Sequence, residues 1–199
     1  MQVRPTLTRQ CWLFAAGSVL FATATAPGIA AALGLHLATA LCFAGSCFFT
    51  TAAWMQLHLA EGGSRRGVQS AAIQLIGTAL FNVSTASALW LQTAAERRPL
   101  MWTPDAVGSA AFLVSGVLAV AAAAAVNAAA RRIAWINLAG CVAFGVSAVA
   151  GYVGRSGTPE DQWLDNRGTF VGALCFLTAA LMALPRFRKP VPALPESAR

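Results

Sequence analysis

Six long apolar runs, parted by short polar segments, make up most of this chain of 199 residues. They cover about residues 12–33, 37–60, 68–91, 106–129, 133–153 and 168–184. A helix of roughly 17–24 residues is long enough to cross the ~30 Å hydrocarbon core of a bilayer. The pattern therefore predicts an all-α transmembrane protein with six spans. A basic head, residues 1–11 with Arg4 and Arg9, precedes them. A basic tail, residues 185–199, follows with four prolines and five charges and is expected to be disordered. Asp105 follows Pro104 and is expected to open the fourth helix, because proline suits a first turn and an acid suits the positive N-terminal end. Arg131-Arg132 are expected to form a tight turn, and Gly154–Arg167 a polar loop.

A second regularity lies inside the runs. Glycine, a small residue, two spacers and phenylalanine recur six times: Gly17-Ser18-x-x-Phe21, Gly45-Ser46-x-x-Phe49, Gly77-Thr78-x-x-Phe81, Gly108-Ser109-x-x-Phe112, Gly140-Cys141-x-x-Phe144 and Gly172-Ala173-x-x-Phe176. The glycines follow one another at 28, 32, 31, 32 and 32 residues, by subtraction of their numbers. A near-constant period marks an internal repeat. With glycine at zero on a helix of about 3.6 residues per turn, phenylalanine falls near 40° and position +7 near −20°. Position +7 holds only Ala24, Ala52, Ser84, Ser115, Ser147 and Ala179. Each helix thus presents a narrow face on which small residues permit close helix approach, and a phenylalanine can fill a neighbour's glycine notch. Because neighbouring spans run in opposite directions, the natural repeat is a hairpin, and three hairpins make a six-helix bundle.

The first run admits two readings. It is a span interrupted or ended near Pro27-Gly28, or a secretory signal with a basic start and an Ala24-x-Ala26 cleavage site. Retention is favoured, because cleavage discards the first copy of the repeat.

Composition agrees with a bilayer. Hydrophobic residues are 57% and charged residues 11% of the chain, against about 25% charged in an average soluble domain. Too few charges remain to cover a soluble surface. The net charge of +7 is therefore read as a topology signal, with no nucleic-acid partner expected. Ten of the 14 basic residues lie in the head, near 65, near 131 and in the tail; Arg97, Arg98, Arg155 and Arg167 lie in the alternate loops. The ten belong on the cytoplasmic side, so both termini are expected inside a bacterial inner membrane. Five of the seven acids, Glu96, Asp105, Glu160, Asp161 and Asp165, fall on the other side.

Three stretches carry a resemblance: Gly45-Ser-Cys-Phe-Phe-Thr-Thr-Ala-Ala53, Gln74-Leu-Ile-Gly-Thr-Ala-Leu-Phe-Asn-Val-Ser-Thr85 and Asn166-Arg-Gly-Thr-Phe-Val-Gly-Ala-Leu-Cys-Phe176. Trp102-Thr-Pro-Asp-Ala-Val-Gly-Ser109 is a fourth, and the G-S-x-x-F hairpin within them looks like the YrhK domain family of small two-helix membrane units. From Trp12 to about Pro185 the chain is also similar to a group of longer uncharacterised bacterial membrane proteins, mainly actinobacterial. The resemblance implies helical hairpins and brings no activity or catalytic residue.

Candidate chemistry is sparse. The spans lack Asp, Glu, Lys and Arg in their central parts, which counts against ion coupling. His36 and His58 stand near opposite ends of one run, so no metal site is expected. Cys11, Cys42, Cys47, Cys141 and Cys175 form no C-x-x-C pair and read as small packing residues. Glu160, Asp161 and Asp165 read as a solvated loop, and Arg186, Arg188 and Lys189 as topology residues able to touch anionic lipid. The most unusual groups are the amides Gln74, Asn82 and Asn137, with Ser84 and Thr85 following. Gln74 and Asn137 each stand three residues before a repeat glycine. They are expected to bond between helices or to line a small polar site.

The leading expectation is a non-enzymatic membrane interaction or structural protein, without cofactor. Its partners would be lipids, its own copies or another membrane protein. The alternative is a transporter or channel for a small neutral solute through the repeat interface.

Overall fold

The computed structural model describes residues 5–90, 94–153 and 159–185. Among these the regular elements are helices: α1 Leu7–Thr25, α2 Ile29–Leu33, α3 Leu35–Ala60, α4 Arg65–Trp90, α5 Ala94–Arg97, a π-helical stretch Arg98–Trp102, α6 Thr103–Ala123, α7 Ala128–Ala150 and α8 Gln162–Ala183. Arg4, Arg155 and the tail from Arg186 lie outside the described residues.

Local chemistry sets the ends. Thr6 caps α1, its hydroxyl accepting from the Arg9 amide at 3.3 Å. Pro27 lacks an amide donor and ends that helix. Gly28 at φ 79° and Gly34 at φ 78° then take backbone conformations that side chains resist, isolating α2 as one short turn. The first apolar run is therefore a 19-residue helix plus a separate piece, rather than one continuous element to residue 33.

Other boundaries also differ from the apolar pattern. Asn127 caps α7 through the Ala130 amide at 2.8 Å, so the turn falls at 124–127 and Arg131-Arg132 are helical. Asp161 caps α8 through the Leu164 amide at 2.9 Å, which makes residues 162–167 helical rather than loop. Pro104 and Asp105 lie in the first turn of α6, as expected. Polar residues extended these helices because the caps, not hydropathy, decide where a helix starts.

Among the described residues five helices are long and apolar enough to cross a membrane: Leu35–Ala60, Arg65–Trp90, Arg98–Ala123, Ala128–Ala150 and Gln162–Ala183. Leu7–Thr25 falls short of that measure, since its first turn holds Arg9 and Gln10 and proline stops it early. The outer surface is apolar, with Ile76, Val83, Val114, Val117 and Val149 all exposed. Small residues and the six repeat phenylalanines turn inward. This order suits a hydrocarbon solvent, where close packing rather than water exclusion holds helices together.

The six long helices form a closed ring in chain order, α1, α3, α4, α6, α7, α8, with α8 returning to α1. Gly17 faces Phe49 across the α1–α3 contact, and Gly45 faces Phe21. Gly77 and Gly108 face Phe112 and Phe81 between α4 and α6; Gly140 and Gly172 face Phe176 and Phe144 between α7 and α8. Every lock is thus reciprocal, each glycine receiving the phenylalanine of its partner helix. All six positions at +7 are buried, as are the six residues that follow the glycines.

Candidate functional site

The six phenylalanines meet on the bundle axis. Phe21–Phe49, Phe81–Phe112 and Phe144–Phe176 stack with ring centroids 5.3, 5.0 and 5.3 Å apart. Edge contacts join the Phe144–Phe176 stack to the other two, including Phe81–Phe144 at 5.6 Å and Phe49–Phe176 at 5.9 Å. Such offset and edge arrangements suit the ring quadrupoles. The layer they form fills the centre of the bundle.

A cavity lies on each side of this layer. The first, about 270 Å³, has Phe49, Phe112 and Phe176 at its floor and Gln10, Gln56, Gln74 and Asn137 on its walls. The second, about 530 Å³, has Phe21, Phe81 and Phe144 at its floor and Asp105 and Asp165 on its walls. Each stack gives one ring to each cavity. Gln10 and Ala183, near the two ends of the described chain, both line the amide cavity. Both termini of the bundle therefore stand at that end.

A single position rule underlies the lining. The residue three before the glycine lies near 60° on the inner face. In α1, α4 and α7 it is Phe14, Gln74 and Asn137, and all three line the amide cavity. In α3, α6 and α8, which run the other way, it is Cys42, Asp105 and Thr169, and all three line the carboxylate cavity.

The sequence candidates are therefore divided. Gln74 and Asn137 share the amide cavity. Gln74 Oε1 accepts from Gln56 Nε2 at 3.3 Å and from Ser115 Oγ at 3.4 Å, while Asn137 Nδ2 reaches Cys141 Sγ at 3.8 Å. Asn82 lines neither cavity. Its Nδ2 donates to Thr50 Oγ1 at 2.8 Å, and its Oδ1 is buried without a partner among the described residues. Ser84 and Thr85 line the carboxylate cavity, and Thr85 Oγ1 lies 3.0 Å from Ser46 Oγ. The structure thus brings two of the three amides to one cavity and leaves the third as a link between α3 and α4.

Asp165 is built into the bundle rather than standing in a solvated loop. Its Oδ1 accepts from Ser147 Oγ at 2.6 Å, and that hydroxyl is 2.7 Å from Thr169 Oγ1. Asp105 accepts no hydrogen bond among the described residues, although it is partly buried. Neither acid has a basic partner there. Arg98 lies over the Tyr152 ring at 5.3 Å and Arg167 over Trp163 at 4.6 Å. Glu160 and Asp161 border a shallower surface groove with Val146 and Leu164 instead. Among the described residues no group of three His, Cys, Asp or Glu could hold a metal ion.

Sequence reading missed Gln10 and Gln56 in one cavity and the pairing of Asp105 with Asp165 in the other. Two signals could have found three of the four. Asp105 obeys the same three-before-glycine rule as Gln74, and Gln10 and Asp165 stand seven before a glycine, again on the inner face. Comparison with protein-family models, with curated proteins and with solved structures gives no match.

Proposed function

We propose that this chain is a six-span protein of a bacterial inner membrane, made of three repeated YrhK-like hairpins with both termini cytoplasmic. Its work is non-enzymatic: it is a closed bundle that packs with lipids, with its own copies or with another membrane protein. The observation that carries this reading is the six-phenylalanine layer, which blocks the axis with hydrocarbon. Orientation is supported by charge. Arg9, Arg65, Arg66, Arg131 and Arg132 belong to the end of the amide cavity, whereas Asp105, Glu160, Asp161 and Asp165 belong to the opposite end.

A second reading is passage of a small neutral solute. The two cavities facing each other across a single aromatic layer favour it, with Gln74 and Asn137 as the polar contacts. Stopped-flow light scattering on proteoliposomes separates the two. Glycerol and urea entry equal to protein-free vesicles supports the closed bundle. Saturable entry, lost on Gln74→Leu, overturns it in favour of passage. Impermeant maleimide at cysteines placed at Arg66 and Glu160 of a cysteine-free chain tests orientation: in intact cells, only the second should react.

A further inference from the structure

The carboxylate cavity joins features that a closed packing bundle does not need. Asp105 comes from the first turn of α6 and Asp165 from the first turn of α8, 60 residues apart by subtraction, and both line the same cavity. Both are enclosed, and both keep some accessible surface where they line the cavity. Asp165 is held in place by Ser147, one oxygen occupied and the other turned toward Gly151, which adds no side chain there. Asp105 has no hydrogen-bond partner and no basic side chain beside it among the described residues. Charge enclosed in a membrane protein is costly unless it meets an opposite charge or a proton.

The rest of the lining says which positive group fits. Among the described residues no third acid, histidine or cysteine joins the two carboxylates in a group that could hold a metal ion, which disfavours a bare divalent cation. The volume, about 530 Å³, suits a small organic molecule. The floor is aromatic: Phe21, Phe81 and Phe144 turn toward the cavity, with Trp102 on the wall. Aromatic rings accept alkyl groups as apolar surface.

We propose that the carboxylate cavity binds a small organic ammonium ion, its head against Asp105 and Asp165 and its alkyl body on the phenylalanine floor. This site goes beyond the closed-bundle reading and stands whether or not the aromatic layer opens.

The test is isothermal titration calorimetry on the full chain in an uncharged maltoside detergent at constant ionic strength. The probes are n-butylammonium and its neutral counterpart n-butanol. Saturable binding of n-butylammonium, at least tenfold tighter than n-butanol, is expected. Asp105→Asn should weaken it tenfold or more, and Asp165→Asn should weaken it in the same direction, with gel-filtration profiles unchanged. Equal affinity for the two probes, absence of saturation, or n-butylammonium binding that survives Asp105→Asn overturns the site. The probe comparison is made on the unaltered chain, so it decides even if a variant misfolds.

Discussion

Gly77→Ala tests the interlock most directly. A methyl group at this position meets Phe112 Cδ1 at 2.7 Å and Cε1 at 2.8 Å, with the Gly108 carbonyl oxygen at 3.1 Å. Carbon atoms rest at about 3.5–4.0 Å, so the ring must retreat by roughly 1 Å. It can move only toward the amide cavity and at the expense of its packing, because Phe112 stacks on Phe81 at 5.0 Å with the planes only 7° apart, and Phe176 meets it edge-on at 6.0 Å. The backbone carbonyl cannot swing aside. Overpacking of this kind costs about 1–3 kcal/mol. Alanine returns at most about 1 kcal/mol through its better helix propensity. The expected net loss is about 1–2 kcal/mol, read as a lower midpoint when the protein is unfolded in maltoside micelles by increasing fractions of dodecyl sulfate. A second substitution, Phe112→Ala, removes the obstacle, so the double variant should recover about 1 kcal/mol relative to the sum of the singles. Gly145→Ala is the control: its methyl meets Leu113 Cδ1 at 3.2 Å, the movable end of a flexible side chain, so it should be neutral or stabilise by up to about 1 kcal/mol. A Gly77→Ala midpoint equal to the parent, with no coupling to Phe112→Ala, refutes the interlock as the packing force.

Three further outcomes follow from the polar links. Thr50→Val leaves the Asn82 carboxamide with no partner and should cost about 1–2 kcal/mol in the same titration, whereas Asn82→Leu should cost less, because it also removes the buried orphan Oδ1. Ser147→Ala releases Asp165 and Thr169 together and should cost about 1–3 kcal/mol, with Ser147→Thr tolerated less well because Gly168 packs against that side chain. Trp102→Phe removes the indole bond to the Ala148 carbonyl at 2.8 Å and should raise amide hydrogen exchange over residues 98–103 without unfolding the bundle.

Much of the architecture is legible in the primary structure for one reason: glycine and phenylalanine recur at fixed offsets, so the inward face of each helix can be drawn on a wheel. Helix ends are less legible. Asn127 and Asp161 start their helices through single side-chain bonds that hydropathy cannot register, and Gly28 and Gly34 break an otherwise unbroken apolar run. The amides are legible as unusual but not as separate. Gln74 and Asn82 are eight residues apart on one helix, yet the first lines a cavity and the second bonds to α3. The carboxylates are hardest to foresee. Each looks like an ordinary acid near the end of an apolar run, and only closure of the ring, which brings α6 and α8 around to the same cavity, makes them a pair.

The reciprocal locks also bear on how such a chain is made. Each lock joins residues 28 to 32 positions apart, Gly17 with Gly45, Gly77 with Gly108, Gly140 with Gly172, so it can close as soon as its second helix leaves the insertion machinery. The bonds between hairpins, such as Ser46 to Thr85 and Gln56 to Gln74, need the first helix of the next hairpin and orient one unit against another. Biogenesis is then modular: a chain severed at 61–64 or 124–127 yields pieces that each carry whole locks and should complement one another when co-produced, whereas a cut at 27–34 parts Gly17 from Phe49 and leaves a fragment with nothing to close upon.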